Sequence, residues 1–322
     1  MAQVEANGAI MERTYRNIQE MYNELMYTMH LFGKQAETRN GDVLSIEEPV
    51  LVRVTHPCER VLNDPIRHAN PFFHVMEFVW MMAGESDVTW IEQFNGQMRE
   101  YAEDNGHLHA AYGYRWREAF GIDQISVVIE MLRKDPDTRR AVIAMWSAQA
   151  DLDVDAKDLP CNTHIYFRLL HGRLNMMVCN RSNDVVWGMT GANAVHMTFL
   201  QELVAQAIQV EVGEYQVVTM NAHVYLALPH LDKMLVPPKG NASPLESTPL
   251  LSKGELYEEF LTECRDFVHK PEEMPNNFWL RNVAHPMRKW YLGTSRNLID
   301  LNRILADDWR DACKKWLHWK AQ

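Results

Sequence analysis

The apolar stretch from Phe72 to Gly84 constrains the fold of this chain more than any other feature. Only His74 and Glu77 interrupt a run of phenylalanine, valine, tryptophan, methionine and alanine that ends in glycine. The run is too long for one strand, so it predicts a buried helix. With 322 residues, 47% of them hydrophobic, the chain can form a sizeable core around it.

Glu77 lies inside this stretch, where a carboxylate is costly unless it is paired or hydrogen-bonded. One interpretation is a glutamate on a solvated helix face, although Val75, Met76 and Phe78 leave little polar face. The other is a general acid or base whose pKa is raised by burial. The local sequence leaves both interpretations open.

Hydrophobic periodicity divides the rest of the chain into helices near the ends and strands in the middle, which predicts a mixed α/β (α+β) fold. A loop rich in Pro, Ser, Gly and Lys is predicted over residues 235–254, and a helical segment from about residue 255. The other predicted elements are helices over residues 8–32, 123–134 and 193–210, β structure over 43–55 interrupted by Pro49, and strands over 141–146, 163–169, 174–179 and 216–225, with a hairpin connection at 170–173.

The charge balance argues against some classes of partner. The formal net charge is −11, so the chain lacks the basic footprint of a protein that binds a nucleic-acid polymer.

No apolar run is long enough for a membrane span, and the N-terminus lacks a secretory signal pattern. The five cysteines are odd in number and widely spaced, which fits reduced thiols in a cytoplasm, and no Cys or His spacing indicates a metal site.

Cys161, directly after Pro160, has the most informative neighbours of the five cysteines. A lone cysteine is usually a small buried hydrophobe, but Arg181 and Ser182 follow within one hairpin of it. A guanidinium and a hydroxyl together suit a phosphate, and a nearby cation favours the reactive thiolate. A cysteine hydrolase would also need a histidine base, and the spacing of the histidines forms no such signature.

Three further arginines are candidates for binding an anion. Arg139 and Arg140 lie in a polar turn that leads into a strand, and Arg39 lies in a turn-rich loop. Adjacent arginines at the start of a strand are often simply solvated, so each is a weak indication alone. A local arginine cluster can nevertheless bind a phosphate on an acidic protein.

In combination these residues resemble the thymidylate synthases and their pyrimidine-nucleotide hydroxymethylase relatives. The similarity runs from about Arg39 to Tyr225. It comprises Glu77 with Gly84, the Asn105-Gly106 turn, the segment from Tyr112 to Arg117, the segment from Asp135 to Arg140, Pro160-Cys161, the segment from Arg181 to Val185, Gly188, Asn193 and His223-Val224-Tyr225.

The resemblance implies a fold and a set of partners. We expect one α/β domain over residues 1–322, with a large mixed sheet, surrounding helices and a divergent helical segment from about residue 255. The partners would be a pyrimidine nucleoside monophosphate and the co-substrate 5,10-methylenetetrahydrofolate, with no metal. A homodimer would place arginines of one subunit in the site of the other.

Roles for individual residues also follow from the resemblance. Cys161 would attack C6 of the pyrimidine, Glu77 would organise water and move protons, and Tyr112 would lie near the thiol. The remaining roles are Arg39, Arg181 and Ser182 at the 5′-phosphate, Arg139 and Arg140 at the same phosphate from the other subunit, His223 and Tyr225 at the sugar, and Asp184 with Gly188 at the folate.

The residue that would read the base departs from the family pattern. Synthases use an Asn amide for uracil, whereas deoxycytidylate hydroxymethylases use an Asp. Counted without gaps from Arg181 the position falls on Ala192, and with one extra residue it falls on Asn193. We expect Asn193 and therefore uracil, while Asn193 as a cap of the following helix remains an alternative.

Other departures concern the folate pocket and the product. Met98 replaces a Trp of the synthases, with Tyr101 further along, and Asn162 replaces the usual His, with no clear consequence. The C-terminal residues do not match the synthase tail that closes over folate, and closure excludes water. Water could then add to the one-carbon intermediate and give a hydroxymethyl product.

We therefore expect a cytoplasmic enzyme that converts dUMP to 5-hydroxymethyl-dUMP, of the kind phages use to modify DNA. Three alternatives remain at this point. They are a thymidylate synthase, a dCMP or CMP hydroxymethylase or methylase, and a non-catalytic nucleotide-binding homologue.

Overall fold

Two β-sheets and a set of helices packed against them make up this protein. The computed structural model describes residues 10–237, 247–293 and 297–320. The strands are β1 Met11–Tyr15, β2 Lys34–Thr38, β3 Gly41–Ile46, β4 Val50–Val54, β5 Val142–Ala144, β6 Asn162–Leu170, β7 Arg173–Asn180, β8 Asn183–Asp184, β9 Glu211–Thr219 and β10 Ala222–Tyr225.

The helices are distributed along the whole of the described chain. They are α1 Ile18–Phe32, α2 Pro71–Ala83, α3 Val88–Ile91, α4 Met98–Tyr101, α5 Tyr112–Arg117, α6 Gln124–Lys134, α7 Ala148–Asp151, α8 Ala192–Ala207, α9 Leu231–Met234, α10 Tyr257–His269, α11 His285–Leu292 and α12 Asp307–Lys320. Two π-helical turns, Val185–Met189 and Leu280–Ala284, and a 3-10 helix, Leu298–Arg303, complete them.

The larger sheet has six strands in the order β1-β4-β9-β7-β6-β5. The pairs β1/β4 and β7/β9 are parallel, and the other neighbours are antiparallel. The smaller sheet has the order β2-β3-β10-β8. The predicted mixed α/β architecture with a large mixed sheet is confirmed.

Helix α2 is the predicted buried helix and forms the centre of the core. Every one of its residues except Glu77 is buried. The Asn70 side chain caps its first turn, and Gly84 ends it in the left-handed conformation with φ 78°, which glycine adopts without strain. Helices α5, α8, α10, α11 and α12 all pack against α2.

The C-terminal segment is helical, as predicted, and packs on the start of α2. The Phe72 ring lies 5.1 Å from the ring of Trp290 in α11 and 5.7 Å from that of Trp316 in α12. One cluster of buried hydrophobic side chains extends from Met11 to Trp316. The divergent segment is therefore part of the same core.

The predicted helix over residues 8–32 is wrong in its first part. Residues Met11–Tyr15 form β1, which pairs in parallel with β4, and residues 8–9 lie outside the described residues. The helix starts at Ile18 because the Asn17 side chain accepts a hydrogen bond from the amide of Glu20. A short strand followed directly by an amphipathic helix imitates one continuous helical pattern.

The predicted strand over residues 216–225 is also wrong, because it joins two strands of different sheets. β9 ends at Thr219 in the large sheet, and β10 begins at Ala222 in the small one. The Thr219 hydroxyl donates to the backbone oxygen of Asn221 and stabilises the bend between them.

Two further regions bear on the predictions. The predicted loop over residues 235–254 contains residues 238–246, which lie outside the described residues, and residues 247–254 form neither helix nor strand. Within the described ranges no helix has both the length and the apolar character needed to cross a membrane.

Candidate active site

Cys161 lies just before β6, and Arg181 just after β7 fixes the segment that carries it. The Arg181 side chain donates to the backbone oxygens of Pro160 (3.0 Å) and Leu159 (3.1 Å). Its Nη2 lies 3.7 Å from Cys161 Sγ, and its backbone amide donates to the Cys161 oxygen at 3.0 Å. The hairpin β6-β7 thus brings a cation to the thiol.

Tyr112, the first residue of α5, supports the same segment from the other side. Its hydroxyl oxygen accepts hydrogen bonds from the amides of Cys161 (3.0 Å) and Asn162 (3.2 Å). Burial, reinforced by the neighbouring Cys161, raises the pKa of Tyr112, so the hydroxyl keeps its proton. Tyr112 therefore lies against the backbone that carries the thiol.

Asn162 is buried directly after the nucleophile candidate and pairs across the hairpin. Its side-chain oxygen accepts a hydrogen bond from Nδ2 of the Asn180 side chain, and the two residues face each other in the β6-β7 register. The side chain therefore has a structural partner on the neighbouring strand.

The Cys161 thiol is half-buried, and its neighbours shift the pKa of the thiol in opposite directions. Burial raises the pKa of Cys161, while the charge of Arg181 lowers it and the carboxylates of Asp158 and Asp184 raise it. The net shift is upward. The resting protein therefore holds mainly a protonated thiol, beside a cation that favours its ionised form.

A cavity of about 110 Å³ lies next to Tyr112. Five of its residues carry polar groups: Glu77, Tyr112, Asp158, Asn193 and His196. Its apolar wall is formed by Trp80, Met81, Met98, Leu108, Ala110 and Ala111. An apolar wall with a few convergent polar groups is typical of a ligand-binding site.

Glu77 faces this cavity with an unusually high affinity for its proton. Burial and the nearby Asp158 raise the pKa of Glu77 to about 8, and its Oε2 is buried without a hydrogen-bond partner. His196 Nε2 lies 3.5 Å from that oxygen and 3.1 Å from the backbone oxygen of His74. Burial lowers the pKa of His196 to about 3, so the imidazole is neutral.

Ser182, His223 and Tyr225 lie together beside Arg181. Ser182 Oγ is 3.4 Å from His223 Nδ1, and the rings of His223 and Tyr225 meet edge to face at 5.3 Å. Asn221 joins the group, because its side-chain oxygen accepts from Ser182 Oγ at 3.3 Å and lies 2.8 Å from His223 Nδ1. Burial lowers the pKa of His223.

The other three arginines are exposed on the single chain. Arg39 lies in the turn between β2 and β3, and β3 pairs with the strand of Tyr225. Arg139 and Arg140 lie in the connection from α6 to β5. Among the described residues, no carboxylate forms an ion pair with any of the three.

Asp184 caps the π-helical turn Val185–Met189. Its Oδ1 accepts from the amides of Val186 (2.7 Å) and Trp187 (2.6 Å), while Oδ2 is buried without a partner. Burial raises the pKa of Asp184 to about 6. A buried acceptor that lacks a donor is open to a ligand that supplies one.

Gly188 and Asn193 lie close together after this turn. A Cβ on Gly188 would lie 2.2 Å from Asn183 Oδ1 and 3.3 Å from Asn193 Nδ2, so only glycine fits there. The cap of α8 is Gly191, without any side-chain cap bond, and Asn193 lines the cavity instead. The geometry therefore favours Asn193 over Ala192 as the residue that faces a base.

Three residues near the site were missed in the sequence, namely Asp158, His196 and Asn221. His196 and Asn221 carry no local signal, since only the packing of α8 on α2 and the bend between β9 and β10 bring them here. Asp158, three residues before Cys161, could have been noted from its proximity alone.

The comparisons with known proteins agree with this geometry. Residues 65–249 match the family model described as thymidylate synthase, and the chain therefore belongs to the thymidylate synthase family. The chain is 38% identical to a deoxyuridylate hydroxymethyltransferase of Pseudomonas phage M6, over 94% of this chain and 92% of that protein.

One more distant relative and one solved structure were also found. A protein of Bacillus phage SP01 with the same name is 34% identical over 64% of this chain and 57% of its own length. The crystal structure of thymidylate synthase from T4 phage superposes with a TM-score of 0.61 at 20% identity, over 77% of this chain and 91% of that one, which shows the shared fold.

Proposed function

We propose that this protein transfers a one-carbon unit to C5 of dUMP and releases 5-hydroxymethyl-dUMP. The observation that carries the proposal is the position of Cys161, whose thiol lies beside Arg181 and whose backbone amide donates to Tyr112, a residue that lines a cavity with Glu77 and Asn193. The named activity of the phage M6 relative, over nearly the whole chain, supports the hydroxymethyl product.

The chemistry of each residue suits one step of the proposed reaction. Cys161 adds to C6 as a thiolate and makes C5 nucleophilic, since the pyrimidine does not react at C5 otherwise. The amide of Asn193 pairs with O4 and N3 of uracil, and Arg181 with Ser182 binds the 5′-phosphate. Glu77, protonated near neutral pH, donates and accepts protons at the base.

The co-substrate in this proposal is 5,10-methylenetetrahydrofolate, which supplies carbon at the oxidation level of formaldehyde. The free Oδ2 of Asp184 would accept hydrogen bonds from its pterin ring. Gly188 keeps the π-helical turn close to Asn193, so the base and the pterin share one wall. No protein-bound metal takes part in the proposed reaction.

We also infer a cytoplasmic homodimer of one-domain subunits spanning residues 1–322. The exposure of one face of the large sheet supports the dimer. Tyr166 and Leu170 of β6 remain 43% and 39% exposed on that face, while the opposite face packs on α8. Arg139 and Arg140, exposed and without carboxylate partners among the described residues, would then reach the phosphate of the neighbouring subunit, next to Arg39.

Product analysis tests the function directly. Incubation with dUMP and methylenetetrahydrofolate should give 5-hydroxymethyl-dUMP and tetrahydrofolate, measured by mass spectrometry and by the absence of dihydrofolate absorbance. Stoichiometric dihydrofolate would instead identify a synthase, and turnover of dCMP but not dUMP would refute the assignment of Asn193. The Cys161→Ala variant should release no tritium from C5-labelled nucleotide, whereas a binding protein would release none in either form.

A further inference from the structure

Asp158 is a second carboxylate in the cavity that holds Glu77. It lies in the segment that leads to Cys161 and lines the same cavity as Glu77. We propose that Asp158 is the general base that activates the water molecule which becomes the new hydroxyl group. This inference rests on the proposed function, because only a hydroxymethyl product requires that water.

The position of Asp158 is fixed by the backbone around it. Its Oδ2 accepts a hydrogen bond of 3.1 Å from the amide of Ala110, next to α5. The preceding Lys157 is held as well, by its amide on Glu103 Oε1 and its ammonium on the backbone oxygen of Ala102, both at 3.0 Å. Oδ1 of Asp158 has no partner among the described residues and is available to a water molecule.

The two carboxyl groups of the cavity differ in their affinity for a proton. Burial raises both pKa values, but the amide of Ala110 and the charges of His109 and Arg115 oppose the rise at Asp158. Glu77 has no such hydrogen bond and no such cation, and Asp158 itself raises its pKa. The hydrogen bond and the two cations act at Asp158 and not at Glu77, so Asp158 gives up its proton more readily than Glu77, which is the order that a base and an acid require.

The chemistry balances without a further reactant. After the one-carbon unit bonds to C5, loss of the C5 proton expels tetrahydrofolate as the bond between that carbon and the folate nitrogen breaks, and the nucleotide then carries an exocyclic methylene at C5 and Cys161 at C6. The water oxygen bonds to the methylene carbon as Asp158 takes one of its protons, and the electron pair of that C=C bond moves to O4. The pair then returns to form C5=C6 as the C6–S bond breaks and Cys161 leaves as a thiolate.

The Asp158→Asn variant separates this step from the earlier ones. The amide keeps the shape and an acceptor for Ala110, but it cannot take a proton. In a single turnover, with enzyme in excess over nucleotide, tritium release from C5 should stay within about threefold of wild type, while formation of 5-hydroxymethyl-dUMP falls by about 10²-fold or more. Asp155→Asn, in the same segment but exposed, should leave both rates unchanged.

An added thiol gives a second and independent measurement. 2-Mercaptoethanol supplies a thiolate that adds to the exocyclic methylene without help from a base. Asp158→Asn should therefore yield the 5-thioether nucleotide, detected by mass spectrometry, in larger amount than wild type does. A merely structural Asp158 predicts parallel loss of tritium release, hydroxymethylation and thioether.

The outcomes distinguish this inference from the function on which it rests. If wild type makes 5-hydroxymethyl-dUMP and Asp158→Asn makes it equally fast, only the role of Asp158 is refuted. Parallel loss of all three signals in Asp158→Asn refutes it equally. If wild type makes thymidylate and dihydrofolate, the proposed function fails and the water-activating role fails with it.

Discussion

The hydroxyl of Tyr112 has only its proton left to offer to a ligand. A hydroxyl oxygen accepts two hydrogen bonds and donates one, and both acceptor positions of Tyr112 are occupied by the amides of Cys161 and Asn162. The proton is therefore directed elsewhere, and the cavity is the adjacent space. One side chain thus both positions the thiol and presents a donor.

Replacing Tyr112 by Phe should weaken both stability and catalysis. Two backbone amides lose their acceptor, and each unsatisfied buried group costs about 1–3 kcal/mol. We expect a lower free energy of unfolding in urea and at least about tenfold slower tritium release. Tyr114→Phe, on the exposed side of the same helix, should change neither, and an active, fully stable Tyr112→Phe would contradict this role.

Glu77 should make the stability of the protein depend on pH. Its pKa is about 8 in the folded protein against the ordinary 4.5, so between these values the unfolded chain loses a proton that the folded chain keeps. Stability therefore falls as pH rises across that window, by on the order of 5 kcal/mol in total.

The Glu77→Gln variant should not show this loss of stability with rising pH. Its free energy of unfolding should exceed that of wild type by more at pH 8 than at pH 5, measured by urea denaturation at both, while its tritium release should be abolished. A difference between variant and wild type that is equal at the two pH values would show that Glu77 is ionised in the folded protein.

At the scale of single elements, the sequence predicts what has a strong local period and misses what depends on pairing. α2 and the β6-β7 hairpin were predictable because an apolar run, a terminal glycine and a turn mark them. β1 was not predictable, because its five residues pair with β4, and one helix and two strands separate β1 from β4 along the chain. Asn221 shares that difficulty, since it reaches Ser182 only through the bend between two sheets.

The N-terminal turn of α8 should tolerate a negative charge at residue 193. Free amides and the helix dipole favour an anion there, so Asn193→Asp should fold. A carboxylate accepts from the exocyclic amine of cytosine but repels O4 of uracil. We expect the ratio of kcat/KM for dCMP over dUMP to rise by about 10²-fold or more, and an unchanged ratio would exclude Asn193 as the base reader.

At the scale of the whole molecule, the exposed face of the large sheet and the exposed arginines together lead to a prediction about mixed dimers. If Arg139 and Arg140 act in the neighbouring subunit, a mixed dimer of Cys161→Ser with Arg139→Ala/Arg140→Ala chains has one intact site and one doubly damaged site. When equal amounts of the two inactive variants are mixed and refolded together, about a quarter of wild-type activity should return.

Each variant refolded alone is the control for that experiment. Arginines that act within their own chain would leave the mixture as inactive as its components. The mass of the particle, measured by light scattering, should correspond to two chains in every case, and a monomer would contradict the dimer.

The partly buried thiol of Cys161 has a consequence for how the protein meets reactive chemicals. Oxidants and alkylating reagents attack the thiolate, and burial raises the pKa of Cys161 so that little thiolate is present at rest. The proposed nucleophile is thereby shielded from indiscriminate electrophiles. Selective covalent inhibition would consequently depend on pyrimidine nucleotides that the enzyme activates itself, and iodoacetamide would be a poor reporter of its active sites.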